Sequence, residues 1–221
     1  MLTIDNLSVS LAGSPVLRTL SLTVHAGTTT AVVGRNGAGK TTLLRSIMGL
    51  VTPSSGTIHL DEENLTNAPA HGRTRVGIGY APEDRVIFPT LSVEENLRLP
   101  CEVLGLRESD MQERLHHVLE VVPQLQPMLA RSGAALSGGQ GKMVALGRAL
   151  MVGKSLVLLD EPFQGLAPAL ALQYAEALSR LRQSRPDLAV IITESNAALL
   201  TDIPNQILTI ERGSFVETTS H

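Results

Sequence analysis

The order of apolar and polar residues divides the chain into strand-like and helix-like segments. Residues 2–11 and 16–24 alternate apolar with polar positions, and the turn-forming residues 12–15 separate them. This alternation predicts a hairpin with one solvated face. Short, continuously apolar runs are instead typical of strands buried on both faces. Three such runs are present, at 29–33, 155–160 and 188–193.

A long helical block interrupts the series of strands. From Ser92 to about residue 152 the pattern is mostly helical, and Ser109, followed by Gln112, resembles a capping box at one helix start. The next helix turns carry an apolar stripe of Met111, Leu115, Val118, Leu119 and Val122. We therefore expect one α/β domain over 1–221. Its core and a β subdomain would take up 1–88 and 153–221, with a helical subdomain inserted at about 89–152.

Composition restricts the possible partners. The net charge is −3, and the chain has no Trp, two Tyr and three Phe, so it offers neither a basic surface nor stacking platforms. We expect no nucleic-acid partner. No apolar run approaches the ~18–20 residues that span a bilayer, so any membrane role would need a partner that supplies the span. The single cysteine, Cys101, favours a reducing compartment.

The sequence GRNGAGKT, residues 34–41, fits the phosphate-binding pattern G-x-x-x-x-G-K-S/T in full. Glycines let a loop turn its backbone N–H groups toward phosphates, and the next helix points its positive end at them. Lys40 would add a charge, and the Thr41 hydroxyl could bind Mg²⁺. The expected nucleotide contacts are Gly34, Arg35, Asn36, Gly37, Ala38, Gly39, Lys40, Thr41 and Thr42.

A second segment supplies carboxylates. The strand-like run SLVLLD, residues 155–160, ends at Asp160, which P-loop folds place beside the magnesium. Glu161 would point in another direction and could orient a water for attack on the γ-phosphate. The alternative is a surface acidic pair that closes a strand. With the phosphate loop upstream, we favour a nucleoside-triphosphate hydrolysis site.

The stretch ALSGGQGKMVALGRAL, residues 135–150, has two interpretations. Ser137 stands where an N-cap belongs, so the stretch could be an ordinary capped helix. A serine hydroxyl, two glycines and an open helix N-terminus could also bind a second anion. The residues alone leave both interpretations open.

Together, these motifs resemble those of the ATP-binding cassette (ABC) ATPases over nearly the whole chain. LSGGQ at 136–140 is similar to their signature and stands between the phosphate loop and LLDEP. The resemblance implies a RecA-like P-loop core, an antiparallel β subdomain and a helical subdomain. It also implies a head-to-tail dimer, with the same or a sister subunit, that closes on ATP. The signature residues would contact ATP held by the other subunit: Ser137, Gly138, Gly139 and Gln140.

A finer resemblance is carried by residues 77–97 and by DEPFQGLAP, 160–168. These are similar to the ATPases of importers for branched-chain amino acids and urea. The resemblance implies cytoplasmic location on the inner face of the bacterial plasma membrane, with permease subunits and, indirectly, a solute-binding protein as partners. Glu83 stands where most relatives have a magnesium-contacting Gln, and it is expected as a metal ligand with Thr41 and Asp160.

Three positions depart from the usual family pattern. Ser195 stands at the switch-histidine position, and its shorter side chain would reach the γ-phosphate through water. Leu11 holds the place of an aromatic that stacks on adenine, so modest base selectivity is expected. Ala167 replaces an Asp that ends a loop in many relatives.

The leading interpretation is therefore the ATP-hydrolysing motor of a membrane importer. A non-transport ABC ATPase is one alternative, although the chain carries no tandem cassette, long coiled coil or basic extension. A low-turnover ATP-sensing module is the other, suggested by Ser195. We expect Arg73 and Arg75 to be surface charges.

Overall fold

The structure, a computed structural model, describes residues 1–84, 87–200 and 203–216. The parts of the predicted segments that fall at 85–86, 201–202 and 217–221 lie outside the described residues. The strands are β1 Leu2–Leu11, β2 Ser14–Val24, β3 Thr29–Val33, β4 Ser55–Leu60, β5 Glu63–Asn64, β6 Ile78–Ala81, β7 Leu156–Asp160, β8 Ala189–Glu194, β9 Gln206–Glu211 and β10 Ser214–Val216. The helices are α1 Lys40–Ile47, α2 Ala70–Arg75, α3 Val93–Val103, α4 Glu108–Val121, α5 Gly138–Val152 and α6 Pro168–Ser184.

Two sheets form the framework. One is antiparallel in the order β2-β1-β4-β5, and it contains the predicted hairpin, in which Leu2 pairs with Val24. The other has the order β10-β9-β3-β8-β7-β6, and all its strands are parallel except β10. Because the strands of a parallel run end at the same sheet edge, the residues that follow β3, β6, β7 and β8 converge there.

The larger sheet is buried on both faces, as its apolar runs predict. Along β7, Val157 and Leu159 pack in the core that includes α3 to α6, whereas Leu156 and Leu158 face the core shared with α1 and the antiparallel sheet. Side chains alternate between the faces of a strand, so a continuous apolar run serves two cores at once. The α/β fold class predicted from the sequence is confirmed.

Helices α3, α4 and α5 lie within the segment 89–152, and short 3-10 helices at Pro123–Met128 and Gly133–Ala135 complete it. The boundaries of a separate helical subdomain stay a prediction. Among the described residues, none of the helices is long and apolar enough to cross a membrane.

The capping box predicted at Ser109 is wrong. Helix α4 begins at Glu108, and its N-cap, Arg107, makes no side-chain capping bond. Ser109 therefore lies inside the first turn. Complete capping boxes are formed instead by Ser92, the N-cap of α3, and by Ser137, the N-cap of α5.

The expectation that Arg73 is a surface charge is also wrong. Its side chain is fully buried and donates hydrogen bonds to the carbonyl oxygens of Ile47, Leu65 and Ala68. Carbonyls at the end of α1 and in the loop between β5 and α2 give the guanidinium the acceptors that burial requires. Arg75, two residues on, is exposed as expected.

Candidate active site

The predicted phosphate loop connects β3 to α1 at the edge where the parallel strands end. Gly39 has φ +114°, and an added Cβ there would lie 2.7 Å from Leu17 Cδ2. At Gly34 an added Cβ would lie 2.4 Å from the carbonyl oxygen of Ile210. Glycine is required at Gly34 because any side chain would collide with this backbone carbonyl, and at Gly39 because the left-handed φ strains other residues.

Lys40, the first residue of α1, is almost completely buried and makes three contacts. Its Nζ donates to the carbonyl oxygens of Gly34 at 2.7 Å and Arg35 at 3.3 Å. It also forms an ion pair with Glu161 Oε1 at 3.0 Å, and the two side chains are 3% and 5% exposed. The lysine and the carboxylate that the sequence assigns to hydrolysis thus meet inside the loop.

Thr41 and Asp160 are also brought together. The Thr41 hydroxyl donates to Asp160 Oδ1 at 3.1 Å. Thr193 and Tyr80 donate to the same carboxylate, at 2.7 Å and 3.3 Å. Burial raises the pKa of Asp160, and these three hydrogen bonds oppose the rise because they stabilise the ionised form.

Glu161 has an unusual backbone conformation. Its φ is +45°, a left-handed value that strains residues other than glycine. Its N–H donates to the carbonyl oxygen and the hydroxyl of Thr193, at 3.1 Å and 3.2 Å. The carbonyl oxygen of Glu161 accepts a hydrogen bond from Lys142 Nζ. Contacts on both sides therefore hold the turn that aims its side chain.

The side chain of Glu161 is only half satisfied within the chain. Oε1 meets Lys40, whereas Oε2 is buried and has no hydrogen-bond partner among the described residues. A buried carboxylate oxygen without a donor is costly, so this atom is suited to accept a hydrogen bond from a bound water.

A cavity of about 510 Å³ opens over the phosphate loop. Glu83, which follows β6, lines it together with Glu161, so this predicted site residue is also near the others. Burial raises the pKa of Glu83, and the nearby charges of Glu161 and Asp160 raise it further. The full lining is Val16, Asn36, Gly37, Gly39, Lys40, Thr41, Thr42, Glu83, Glu161 and Gln164.

Oxygen atoms dominate the possible metal ligands. The Thr41 hydroxyl and the Asp160 carboxylate touch, and the Glu83 carboxylate borders the same cavity. Hard oxygen donors of this kind suit Mg²⁺. Among the described residues no group of three or more His, Cys, Asp and Glu is placed to hold a metal alone. A magnesium there would need the threonine and further oxygens, such as those of phosphates.

The LSGGQ residues begin α5. Ser137 Oγ accepts from the N–H of Gln140 at 3.3 Å, and Gln140 Oε1 accepts from the N–H of Ser137 at 3.0 Å. Both bonds stay within the first turn, and Ser137 and Gly138 are exposed. Gly139 packs closely against α6, because an added Cβ would lie 2.4 Å from Leu170 Cδ1, which would have to shift.

Two other residues predicted for the site do not line the cavity over the phosphate loop. Leu11 ends β1 and is 42% exposed. Ser195 follows β8 and is exposed, whereas Glu194 before it is fully buried. Neither Leu11 nor Ser195 lines the cavity over the phosphate loop.

Sequence reasoning missed several residues around this site. Thr193 and Tyr80 could have been found, since each is a polar residue in or after an apolar run beside β7. Val16 and Gln164 line the cavity without any motif to mark them. Lys142 and Glu194 reach the Glu161 turn from α5 and from β8.

A protein-family model described as "ABC transporter" matches residues 17–164. The chain is 35% identical over 216 residues to the high-affinity branched-chain amino acid transport ATP-binding protein BraG of Pseudomonas aeruginosa, covering 98% of this chain and 91% of that protein. It is 32% identical to the lipopolysaccharide export system ATP-binding protein LptB of Escherichia coli, covering 97% and 88%.

Solved structures agree with the sequence comparisons. The ADP conformation of MJ1267, an ATP-binding cassette of an ABC transporter, superposes with a TM-score of 0.83 at 25% identity, covering 98% of this chain and 89% of that one. The structure of an ATP-binding subunit of an ABC transporter gives the same TM-score at 28% identity, covering 97% and 88%.

Proposed function

Because this chain belongs to the ABC transporter family of ATP-binding proteins and is an ATPase, we propose that it is the motor subunit of an importer. The solute would be a branched-chain amino acid, urea or a related small polar molecule. The similarity to BraG supports this choice. Two other relatives are named for different substrates. LptB belongs to a lipopolysaccharide export system, and FbpC of Pseudomonas fluorescens is an Fe(3+) ions import ATP-binding protein, 36% identical to this chain over 94% of it and 58% of that protein.

One observation carries the proposal for the chemistry. The buried pair of Lys40 and Glu161 lies in the glycine loop, beside the Thr41–Asp160 hydrogen bond. ATP phosphates bound by the N–H groups of residues 34–42 would compete for the Lys40 ammonium. Glu161 would then lose its cation partner and could accept a hydrogen bond from the attacking water. ATP binding would thus exchange the Lys40–Glu161 ion pair for a pair between Lys40 and phosphate.

Thr41, Asp160 and Glu83 would hold Mg²⁺. When bound, the ion would partly neutralise the negative charge of the terminal phosphates. Tyr80 and Thr193 keep the Asp160 carboxylate in place through their hydrogen bonds. Their role would be to fix the ligand before the nucleotide arrives, which reduces the cost of ordering it at that moment.

Hydrolysis would depend on Glu161. Its strained turn aims the carboxylate into the cavity, where its unpartnered Oε2 could orient a water in line with the γ-phosphate. Ser195 would approach the γ-phosphate through water. Leu11 would give apolar contact to adenine without stacking. Val16, which lines the cavity and lies close to Gly39, would lie at the adenine end of the nucleotide as well.

A second ATPase subunit, identical or a sister chain, would complete the site. The exposed Ser137, with Gly138, Gly139 and Gln140, would contact ATP held by the phosphate loop of the partner. On its own chain Ser137 caps α5, and its hydrogen bonds stay in the first turn. Its outer side is therefore accessible to a partner-bound anion.

The membrane partner would meet a groove between α3, α5 and the sheet. This groove has a volume of about 470 Å³, and Glu83, Asp84, Pro100 and Arg148 are among its lining residues. We place the subunit in the cytoplasm, peripheral on the inner face of the bacterial plasma membrane. Permease subunits would bind it directly and a solute-binding protein would act through them, with no nucleic-acid partner.

Replacing one carboxylate tests the chemistry. The variant Glu161→Gln should bind ATP with unchanged affinity but lose nearly all hydrolysis, because the amide is a poorer acceptor from the attacking water. Unchanged hydrolysis would reject the water-orienting role. The exposed Ser195 favours an alternative function, a low-turnover ATP sensor. That alternative would be supported if the ATP turnover of the wild-type protein did not rise when permease subunits were added.

A further inference from the structure

Lys142 of α5 reaches out of the helical segment into the catalytic turn. It lies five residues after Ser137 on the same helix, and its Nζ donates a hydrogen bond to the carbonyl oxygen of Glu161. The side chain is half-buried there. A charged donor to a partly buried carbonyl makes one of the stronger hydrogen bonds in proteins.

The turn that Lys142 contacts would not be stable by itself. A left-handed φ costs a non-glycine residue about 1–3 kcal/mol, so it persists only where neighbouring groups enforce it. At Glu161 the N–H side is held by Thr193, and two residues later the N–H of Phe163 donates to Glu194 Oε1 at 2.8 Å. Lys142 holds the carbonyl side, where the N–H of Gln164 also donates to the Glu161 carbonyl oxygen at a longer 3.3 Å. Without Lys142, only that longer, uncharged hydrogen bond would restrain the peptide after Glu161, and the carboxylate would be held less firmly.

The ammonium also acts on a local excess of negative charge. Asp160, Glu161, Glu83 and Glu194 lie close together at the ends of three neighbouring strands. Burial and the charge of Glu161 raise the pKa of Glu194, and Lys142 opposes the rise. It therefore serves as a second cation of the site, in addition to Lys40.

We propose that Lys142 is a positioning residue for ATP hydrolysis, which holds the Glu161 turn in its strained conformation. Because Lys142 and Ser137 share α5, it also ties the helix end that would face the partner's ATP to the carboxylate that acts on this chain's own ATP. The inference rests on the proposed role of Glu161. Lys142 itself would touch neither the nucleotide nor the water.

The test compares Lys142→Met, Lys142→Arg and a surface control, Lys154→Met, in the full chain. Lys154 is exposed just beyond the same helix, so its loss removes a lysine without touching the turn. Steady-state ATP hydrolysis, ATP affinity by calorimetry and the melting temperature are measured for each. A misplaced carboxylate should lower kcat of the Met variant at least about tenfold, with KM and ATP affinity changed less than about twofold. The Arg variant should recover most of the rate.

A double-variant cycle separates positioning from a general structural effect. In a Glu161→Gln background, Lys142→Met should cause no further loss of the residual hydrolysis, because the group that it positions is already inactive. A kcat within about twofold of wild type for Lys142→Met would overturn the inference. So would an equal loss in both backgrounds, or a parallel loss of ATP affinity. If the Met variant does not fold, Lys142→Gln replaces it in every comparison, with the same criteria.

The cycle also separates this inference from the proposed function. If Glu161→Gln retains hydrolysis, the assignment of Glu161 fails, and the inference about Lys142 fails with it. If Glu161→Gln is inactive and Lys142→Met keeps its kcat, only the positioning role of Lys142 is rejected.

Discussion

Glu194 gives the most quantitative prediction for stability. It ends β8, is fully buried, and accepts a hydrogen bond from the N–H of Phe163 through Oε1, while Oε2 has no hydrogen-bond partner among the described residues. Burial is the main cause that raises its pKa from 4.5 to about 7, and the charge of Glu161 adds to the rise. Ionising this group in the native protein therefore costs about 3 kcal/mol more than in the unfolded chain.

The sign of the effect follows from proton binding. As pH rises above 4.5, the unfolded chain loses this proton, whereas native Glu194 keeps it up to about 7. The native state then binds more protons, so the free energy of unfolding falls with rising pH and levels off above about 7. A glutamine in the same place has no proton to lose. Relative to wild type, Glu194→Gln should gain about 2 kcal/mol between pH 5 and pH 8.

Urea unfolding at pH 5 and pH 8, followed by far-UV circular dichroism, measures this difference. Other titrating groups are common to both proteins and cancel in the comparison. Glu211→Gln, at an exposed strand position, serves as the control and should show no such pH-dependent gain. The reasoning would be refuted if the difference in free energy of unfolding between Glu194→Gln and wild type were the same at both pH values. It would also be refuted if wild type became more stable relative to the variant as pH rose.

Three further predictions concern burial, packing and base contact. Arg73→Met should lower the free energy of unfolding by about 3 kcal/mol or more, since it removes the buried guanidinium that donates to the carbonyls of Ile47, Leu65 and Ala68. Exposed Arg75→Met should change the free energy of unfolding by less than about 0.5 kcal/mol, and equal effects of the two variants in urea unfolding would contradict the buried role of Arg73. Gly79→Ala places a Cβ 2.1 Å from the carbonyl oxygen of Ala149, and should lower the melting temperature, unlike Gly72→Ala in α2, where the nearest atom is 3.9 Å away. Leu11 offers no aromatic ring, so ATP and GTP should bind with affinities within about tenfold of each other, and a far larger preference for ATP in parallel titrations would reject the assignment.

Sequence motifs predicted the parts of the site that a continuous segment encodes. The glycine loop, Lys40, Thr41, Asp160 and Glu161 are marked by motif spacing, and the structure brings Lys40 to Glu161 and Thr41 to Asp160. Parallel strands explain why separate segments converge, because each segment follows a strand that ends at one sheet edge.

Other residues could not be predicted because their environment depends on packing across the fold. In the sequence Arg73 resembles an ordinary helix-surface arginine, but the fold surrounds it with carbonyls from the end of α1 and from the loop between β5 and α2. Lys142 stands next to the signature, but only the contact between α5 and the end of β7 shows where its ammonium lies. The misplaced capping box at Ser109 has a local cause, since one helix start shifted by two residues moves the serine from the cap into the first turn.

The central claim is that this chain forms an ATP site that a second subunit completes through Ser137. Sedimentation of Glu161→Gln, with and without ATP and Mg²⁺, tests it most directly, with Glu161→Gln/Ser137→Arg as the matched variant. We predict that ATP converts the first protein to a dimer, whereas the second binds ATP and stays monomeric. Equal dimerisation of both proteins on ATP would contradict the claim. So would an ATP-saturated Glu161→Gln protein that stays monomeric both alone and with a sister subunit added.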